Sequence, residues 1–227
     1  MNESSRVPVR KIPPKNRGLT GFVATEGRGI AFESSLERDL VVLLSSYPDV
    51  VSIEEQPLAV PVPGESGAAA TYVPDFLVHR ANGWVSLIEV KPSEELKTNC
   101  QKYKKRFQAA KDYAHRNGWR FEIWTEKAIR CPRLENAKFL RGYRGDHIEP
   151  DLAERILDRV RNESGSPAVW DLVTALGDGL EAQAIMQRAL WALIANGRLH
   201  VDLERPLTPQ SPVRIERGGA LGLSQAF

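Results

Sequence analysis

The chain has 227 residues, of which 42% are hydrophobic and 26% charged, with a formal net charge of +2. Such values describe an ordinary soluble globular protein of one large or two small domains. They exclude a transmembrane helix, since the apolar runs are short, and no apolar stretch follows Met1 to act as a secretion signal. Cys100 and Cys131 lie far apart without a CxxC spacing, which argues against zinc and fits structural thiols in a reducing, cytoplasmic compartment.

The small net charge hides a strong segregation. Residues 1–32 hold 6 Lys/Arg against 2 acids, and residues 33–90 hold 2 against 9. Residues 91–144 hold 15 against 6, and residues 145–227 hold 8 against 12. An acidic block beside a basic one suits a site that gathers metal ions next to a phosphate-rich ligand; solvated faces of mixed charge are the plainer alternative.

In chain order, residues 1–28 are polar and basic and read as a mobile arm. "ESSLERDLVVLLSSY" has helical periodicity, with Phe32, Leu36, Leu40, Leu43 and Tyr47 on one stripe. Pro48-Asp49 ends that helix, "VVSIEEQP" reads as a strand, and "LAVPV" extends it as an edge before a Gly/Ala-rich loop at 64–70. "YVPDFLVHRANGWVSLIEVKP" reads as two strands joined by an Asn82-Gly83 turn. A long helix over 96–117 follows, its buried stripe Cys100, Tyr103, Phe107, Ala110 and Ala114, closed by Gly118. "WRFEIWTE" is a further strand, and a helix near Leu134–Leu140 closes the region. This order predicts an α/β core with a mixed sheet over 29–145. Beyond it, three helices and two short strands ("GRLHVDLERPL", "SPVRIER") predict a small winged-helix domain over 146–217, with a loose tail at 218–227. Ala184, Ile185, Ala189 and Ile194 mark the apolar side of its third helix, and Trp170 and Trp191 read as core.

Three charges in the central strands raise the question of function. Asp75 falls in the first strand of the hairpin, and Glu89 and Lys91 in the second, among Leu87, Ile88 and Val90. A charge inside an apolar strand is costly unless it is paired, metal-bound or exposed. Strand alternation puts Glu89 and Lys91 on one face, and the hairpin lets Asp75 approach it. Two converging carboxylates and the Val90 carbonyl form an oxygen-rich pocket suited to Mg²⁺, at metal–oxygen distances of about 2.0–2.1 Å, with Mn²⁺ as a substitute. With an adjacent lysine, these are the parts of metal-assisted phosphodiester hydrolysis. Glu37 is a candidate third carboxylate and metal ligand, because it shares an apolar helix face with Leu40, Val41 and Leu44. Glu33, one turn earlier, fits a helix N-terminal acid favoured by the macrodipole.

"ESSLERDL", "YPDVVSIEEQP", "YVPDF" and "IEVKP", in that order, resemble the TnsA endonucleases, the nuclease subunits of heteromeric transposases, over about residues 28–128. These belong to the restriction-endonuclease-like superfamily with its PD…(D/E)xK motif. The resemblance implies Glu37, Asp75, Glu89 and Lys91 as catalytic residues and Mg²⁺ as cofactor. It also implies cleavage at the 5′ ends of a mobile element during cut-and-paste DNA transposition. The implied partners are double-stranded transposon ends, an integrase-type (TnsB-like) transposase subunit and an AAA+ (TnsC-like) regulator. A C-terminal winged-helix-like domain agrees with the reading of 146–217.

Lys97, Lys102, Lys104, Lys105, Arg106 and Lys111 fall off the buried stripe of the 96–117 helix and are candidate phosphate contacts. The C-terminal domain is acidic, and its third helix carries only Arg188, so protein docking is expected of it rather than major-groove reading. Two alternatives stay open: a stand-alone restriction or repair nuclease, and a catalytically silent DNA-binding or assembly module.

Overall fold

The computed structural model describes residues 20–25, 28–63 and 69–215. It divides into two units, Met1–Leu134 and Glu135–Phe227.

In the first unit, β1 (Gly21–Thr25) and β2 (Arg28–Phe32) form an antiparallel hairpin. Residues 21–25 were expected in the basic arm. They form a strand because Val23 and its partner Ile30 are both buried, a reward that Arg- and Pro-rich sequence lacks. The rest of the expected arm up to residue 19, and the expected tail at 218–227, lie outside the described residues.

Helix α1 (Ser35–Leu44) is buried at Leu36 and from Asp39 to Leu44, which makes it a core helix rather than a one-stripe surface helix. Ser34 caps it: its Oγ accepts from the Glu37 N–H at 3.1 Å. β3 (Val50–Glu55) follows, but β4 (Val60–Pro63) does not extend it. β4 pairs instead with β5 (Ala69–Tyr72) in a separate two-stranded sheet. Part of the expected 64–70 loop is therefore strand, and residues 64–68 lie outside the described residues.

The hairpin expected around Asn82-Gly83 is present. β6 (Phe76–Arg80) runs antiparallel to β7 (Val85–Val90), and Gly83 supplies the φ of 82° that the turn requires. After helices α2 (Ser93–Thr98) and α3 (Cys100–Arg116), strand β8 (Arg120–Trp124) returns parallel to β7. The four-stranded sheet has the order β3-β6-β7-β8, mixed as expected.

α3 covers one sheet face, where Ala110 and Ala114 pack with Leu77, Leu87, Tyr72, Val60 and Val62. Small residues let the helix approach closely, and Phe107 fills the remaining space beside Tyr103 and Phe121. Cys100, expected on the buried stripe, is exposed because it sits in the first turn, beyond the sheet-facing portion; Cys131 is half-buried, and both are free thiols. Helix α4 (Glu126–Ile129) was not anticipated; Ile129 buries it against the unit.

α5 (Pro132–Arg141) contains the division between units, ahead of the 145/146 boundary expected from sequence. Leu140 belongs to the second core, and the Asn136 amide donates to the carbonyls of Leu203 and Arg205 at 2.8 and 2.7 Å. The second unit continues with α6 (Pro150–Asn162), α7 (Val169–Leu176) and α8 (Gly179–Ala195) around Ile156, Leu172, Leu190 and Leu193.

Among the described residues, the two strands expected after α8 meet only in an isolated antiparallel bridge between His200 and Arg214, and Pro212 bridges Ala168 ahead of α7 instead. Pro206, Pro209 and Pro212 deprive this stretch of donors for a ladder. Trp191 is core at 5% exposure, whereas Trp170 is 44% exposed because it lies off the Val169–Leu172–Val173 stripe of α7. On α8, Ala189 and Ile194 are buried, but Ala184 and Ile185 fall in its exposed first half. No helix among the described residues is long and apolar enough to cross a membrane.

Candidate active site

Leu77 and Leu87 face α3, and alternation sends Glu89 to the same side of the sheet; Lys91, expected inside the strand, follows its last residue Val90, where its N–H still donates to the Trp124 carbonyl. Asp75 is not inside a strand as expected: it is a bend residue immediately before β6. Pro74 ahead of it cannot donate to a ladder, so regular pairing between β6 and β7 stops at Phe76–Ile88. The side chain takes over from there. Asp75 Oδ2 accepts the Val90 N–H at 2.7 Å, which draws the carboxylate across to the end of β7.

Glu89 is buried, with 3% exposure, and both of its oxygens are engaged. Oε2 accepts from the Tyr72 hydroxyl at 2.5 Å, and Oε1 lies 2.7 Å from Lys91 Nζ. The same ammonium donates to the Val90 carbonyl at 3.0 Å and stands 3.9 Å from Asp75 Oδ2. Burial alone pushes the Lys91 pKa down, but Asp75 and Glu89 outweigh it and hold the value up at about 12. Asp75 is pushed well above the usual carboxylate range by burial, then by Glu89, with Lys91 opposing. Burial and the Glu89 carboxylate likewise raise the Tyr72 phenol, which keeps it a hydrogen-bond donor.

Glu37 lies on α1, and its two oxygens accept from the Glu33 N–H at 2.7 Å and the Ser34 hydroxyl at 2.9 Å. It is thus the acidic member of a capping arrangement at the start of α1. Burial raises its pKa against those two bonds; Lys91 acts to lower it, and its own charge raises Asp75 in turn. Asp75, Glu89 and Lys91 are joined by direct contact, and Glu37 is joined to them electrostatically.

The residues present fit a divalent cation. The Lys91 ammonium already stands among Glu89 Oε1, Val90 O and Asp75 Oδ2, three oxygens converging on one positive charge. They are the donors expected for Mg²⁺, a hard cation that takes oxygen ligands. Among the described residues no three His, Cys, Asp or Glu side chains lie together as a metal cage.

Tyr72, Ser34 and Gln56 were not anticipated. Ser34-x-x-Glu37 is a capping-box spacing visible in the sequence, and alternation through "TYVPDF" marks Tyr72 only once the face of β5 is known. The expected DNA-contacting cations Lys97, Lys102, Lys104, Lys105, Arg106 and Lys111 are all exposed. Lys97 lies on α2, paired with Glu94 at 2.6 Å. At about 3.6 residues per turn, Lys102 and Arg106 fall on one flank of the buried stripe of α3, Lys104 and Lys111 on the other, and Lys105 opposite the stripe. Arg106 acts electrostatically on the Tyr72 phenol, lowering what burial and Glu89 raise.

A mixed sheet flanked by helices, with an acid at the head of one strand and an acid-x-lysine on the next, defines a nuclease-like α/β core. Residues 47–126 match the family model described as TnsA-like endonuclease N terminal, so this part of the chain is similar to the TnsA-like endonucleases. The match spans β3 to β8 and includes Asp75, Glu89 and Lys91; Glu37 precedes it. No curated protein matches the chain.

Proposed function

We propose that the chain is the Mg²⁺-dependent DNA endonuclease subunit of a transposase, cleaving phosphodiester bonds at the 5′ ends of a mobile element during cut-and-paste transposition. The observation that carries this reading is the placement of Lys91 Nζ among the oxygens of Glu89, Val90 and Asp75. A fold gains little stability from burying two carboxylates and a lysine together, since desolvation offsets much of their attraction. A hydrolytic site needs that grouping. Bound there, Mg²⁺ supplies a Lewis acid at the scissile phosphate. Asp75, Glu89 and the Val90 carbonyl would hold it, with Glu37 adding negative charge from α1. Lys91 sets its ammonium against the phosphate and orients the attacking water. Tyr72 keeps the Glu89 carboxylate from rotating.

The exposed cations of α3 hold double-stranded DNA by its phosphates, with Lys102 on the same flank as Arg106, the cation that acts on Tyr72. The family match favours work beside an integrase-type (TnsB-like) subunit and an AAA+ (TnsC-like) regulator. The second unit, read as winged-helix-like, is acidic and suits protein docking. The test is a reconstituted excision assay with wild type and Asp75→Ala, mapping breaks on each strand. Loss of 5′ cuts with 3′ nicks intact is expected. Identical products from both proteins would end the proposal.

A further inference from the structure

Gln56, the residue after β3, is the one non-glycine among the described residues with a left-handed backbone, at φ 44°. That conformation is unfavourable for a side chain with a Cβ and persists where surrounding contacts over-determine it. Here the contacts lead to the carboxylates. The Gln56 N–H donates to the Asp75 carbonyl at 2.8 Å, so the bend that carries Asp75 is fastened to the end of β3. Its side-chain Nε2 donates to Glu33 Oε1 at 3.0 Å, and the Glu33 N–H donates to Glu37 Oε2 at 2.7 Å. One residue therefore ties the turn that opens α1 to the bend that opens β6. Its Oε1 is buried without a protein donor, a cost that an apolar side chain of similar volume avoids.

We infer that Gln56 is a positioning residue of the carboxylate site: it fixes the separation between Glu37 on α1 and Asp75 ahead of β6. The inference rests on the nuclease reading above. Left-handed backbone turns the chain so that the main chain reaches Asp75 while the amide reaches back to Glu33. An ordinary strand residue alternates across the sheet and reaches one of them only.

Glycine separates positioning from stability, because Gln56→Gly accepts the left-handed backbone and keeps the N–H while deleting the amide. Full-length wild type, Gln56→Gly and Asp75→Ala are titrated with Mn²⁺ by calorimetry, with thermal unfolding and DNA cleavage measured alongside. Gln56→Gly is expected to unfold at or above the wild-type temperature, yet to bind Mn²⁺ several-fold more weakly, less than the roughly tenfold or more of a partner bonded directly to a ligand, because the amide reaches Glu37 through Glu33. Should Gln56→Gly fail to fold, Gln56→Met, which keeps the bulk without the amide, carries the same expectation. Wild-type Mn²⁺ affinity in the folded variant, with binding lost in Asp75→Ala, overturns the role of Gln56 and leaves the nuclease reading standing. Undiminished binding in Asp75→Ala overturns both.

Discussion

Asp75 and Val90 meet side chain to backbone: the carboxylate Oδ2 accepts the Val90 N–H at 2.7 Å, where the β6–β7 ladder ends. The acid thereby closes the sheet and faces the pocket at once. Burial and Glu89 raise its pKa, so the folded chain binds this proton more tightly than the unfolded chain, whose value is near 3.8. The sign follows. Stability from this group is full below the unfolded value and is lost as pH rises through the raised folded one. Asp75→Asn, which can still accept from Val90, is expected to melt higher than wild type at pH 7 without divalent ions. A gain of roughly 2–4 °C corresponds to about 1 kcal/mol in a chain of this size, and it should vanish below about pH 4. Parallel melting curves across that range would contradict it.

Lys91 shares its three oxygens with any cation that enters. Lys91→Met removes the competing charge and leaves Asp75 and Glu89 without an internal counter-ion. Mn²⁺ affinity should rise about tenfold, a change of about 1.4 kcal/mol, while DNA cleavage falls by at least about a hundredfold. Calorimetry and single-turnover cleavage on one preparation read the two effects. A fall in both would mean the ammonium helps to shape the ion site rather than competing for it.

Tyr72→Phe keeps the ring beside Phe107 and deletes the hydroxyl that Glu89 accepts. A buried charged acceptor that loses a partner costs about 1.5–3 kcal/mol, to be read from urea unfolding. Cleavage should fall with it, because one Glu89 oxygen becomes free to turn.

Ser34→Ala removes the N-cap of α1 and one of the two bonds on Glu37. The expected loss is about 1 kcal/mol of stability. Restoring the cap with Ser34→Asp should recover stability but place another negative charge beside Glu37, so cleavage should recover less than the melting temperature.

The two flanks of α3 make different predictions. Charge reversal of Lys102 and Arg106 should weaken DNA binding and flatten its salt dependence by about two counterions. Reversal of Lys104 and Lys111 should cost less, since that flank lies across the buried stripe from Arg106. Salt titrations of DNA affinity decide between them, and equal slopes would show that both flanks meet the duplex.

Much of this was legible in the chain itself. The Asn82-Gly83 hairpin, the existence of strand β8 and the mixed character of the sheet follow from turn residues, β propensity and element order, whereas the parallel pairing of β8 with β7 came only from the fold. Glu89 and Lys91 were identifiable because charge inside an apolar strand is expensive wherever the strand goes. Trp170 and Cys100 were misjudged because apolar or thiol character does not say which turn of a helix meets a partner. The strands expected after α8 failed where prolines removed the donors of a ladder.

Local pattern sets which residue types can carry the chemistry and, because a strand repeats every two residues, puts Glu89 and Lys91 on one face. That Asp75 reaches Val90, that Tyr72 holds Glu89 and that Gln56 links Glu33 to Asp75 came from packing alone. Those bonds join residues far apart along the chain, and their geometry is set by how helix and sheet pack, which no local pattern encodes.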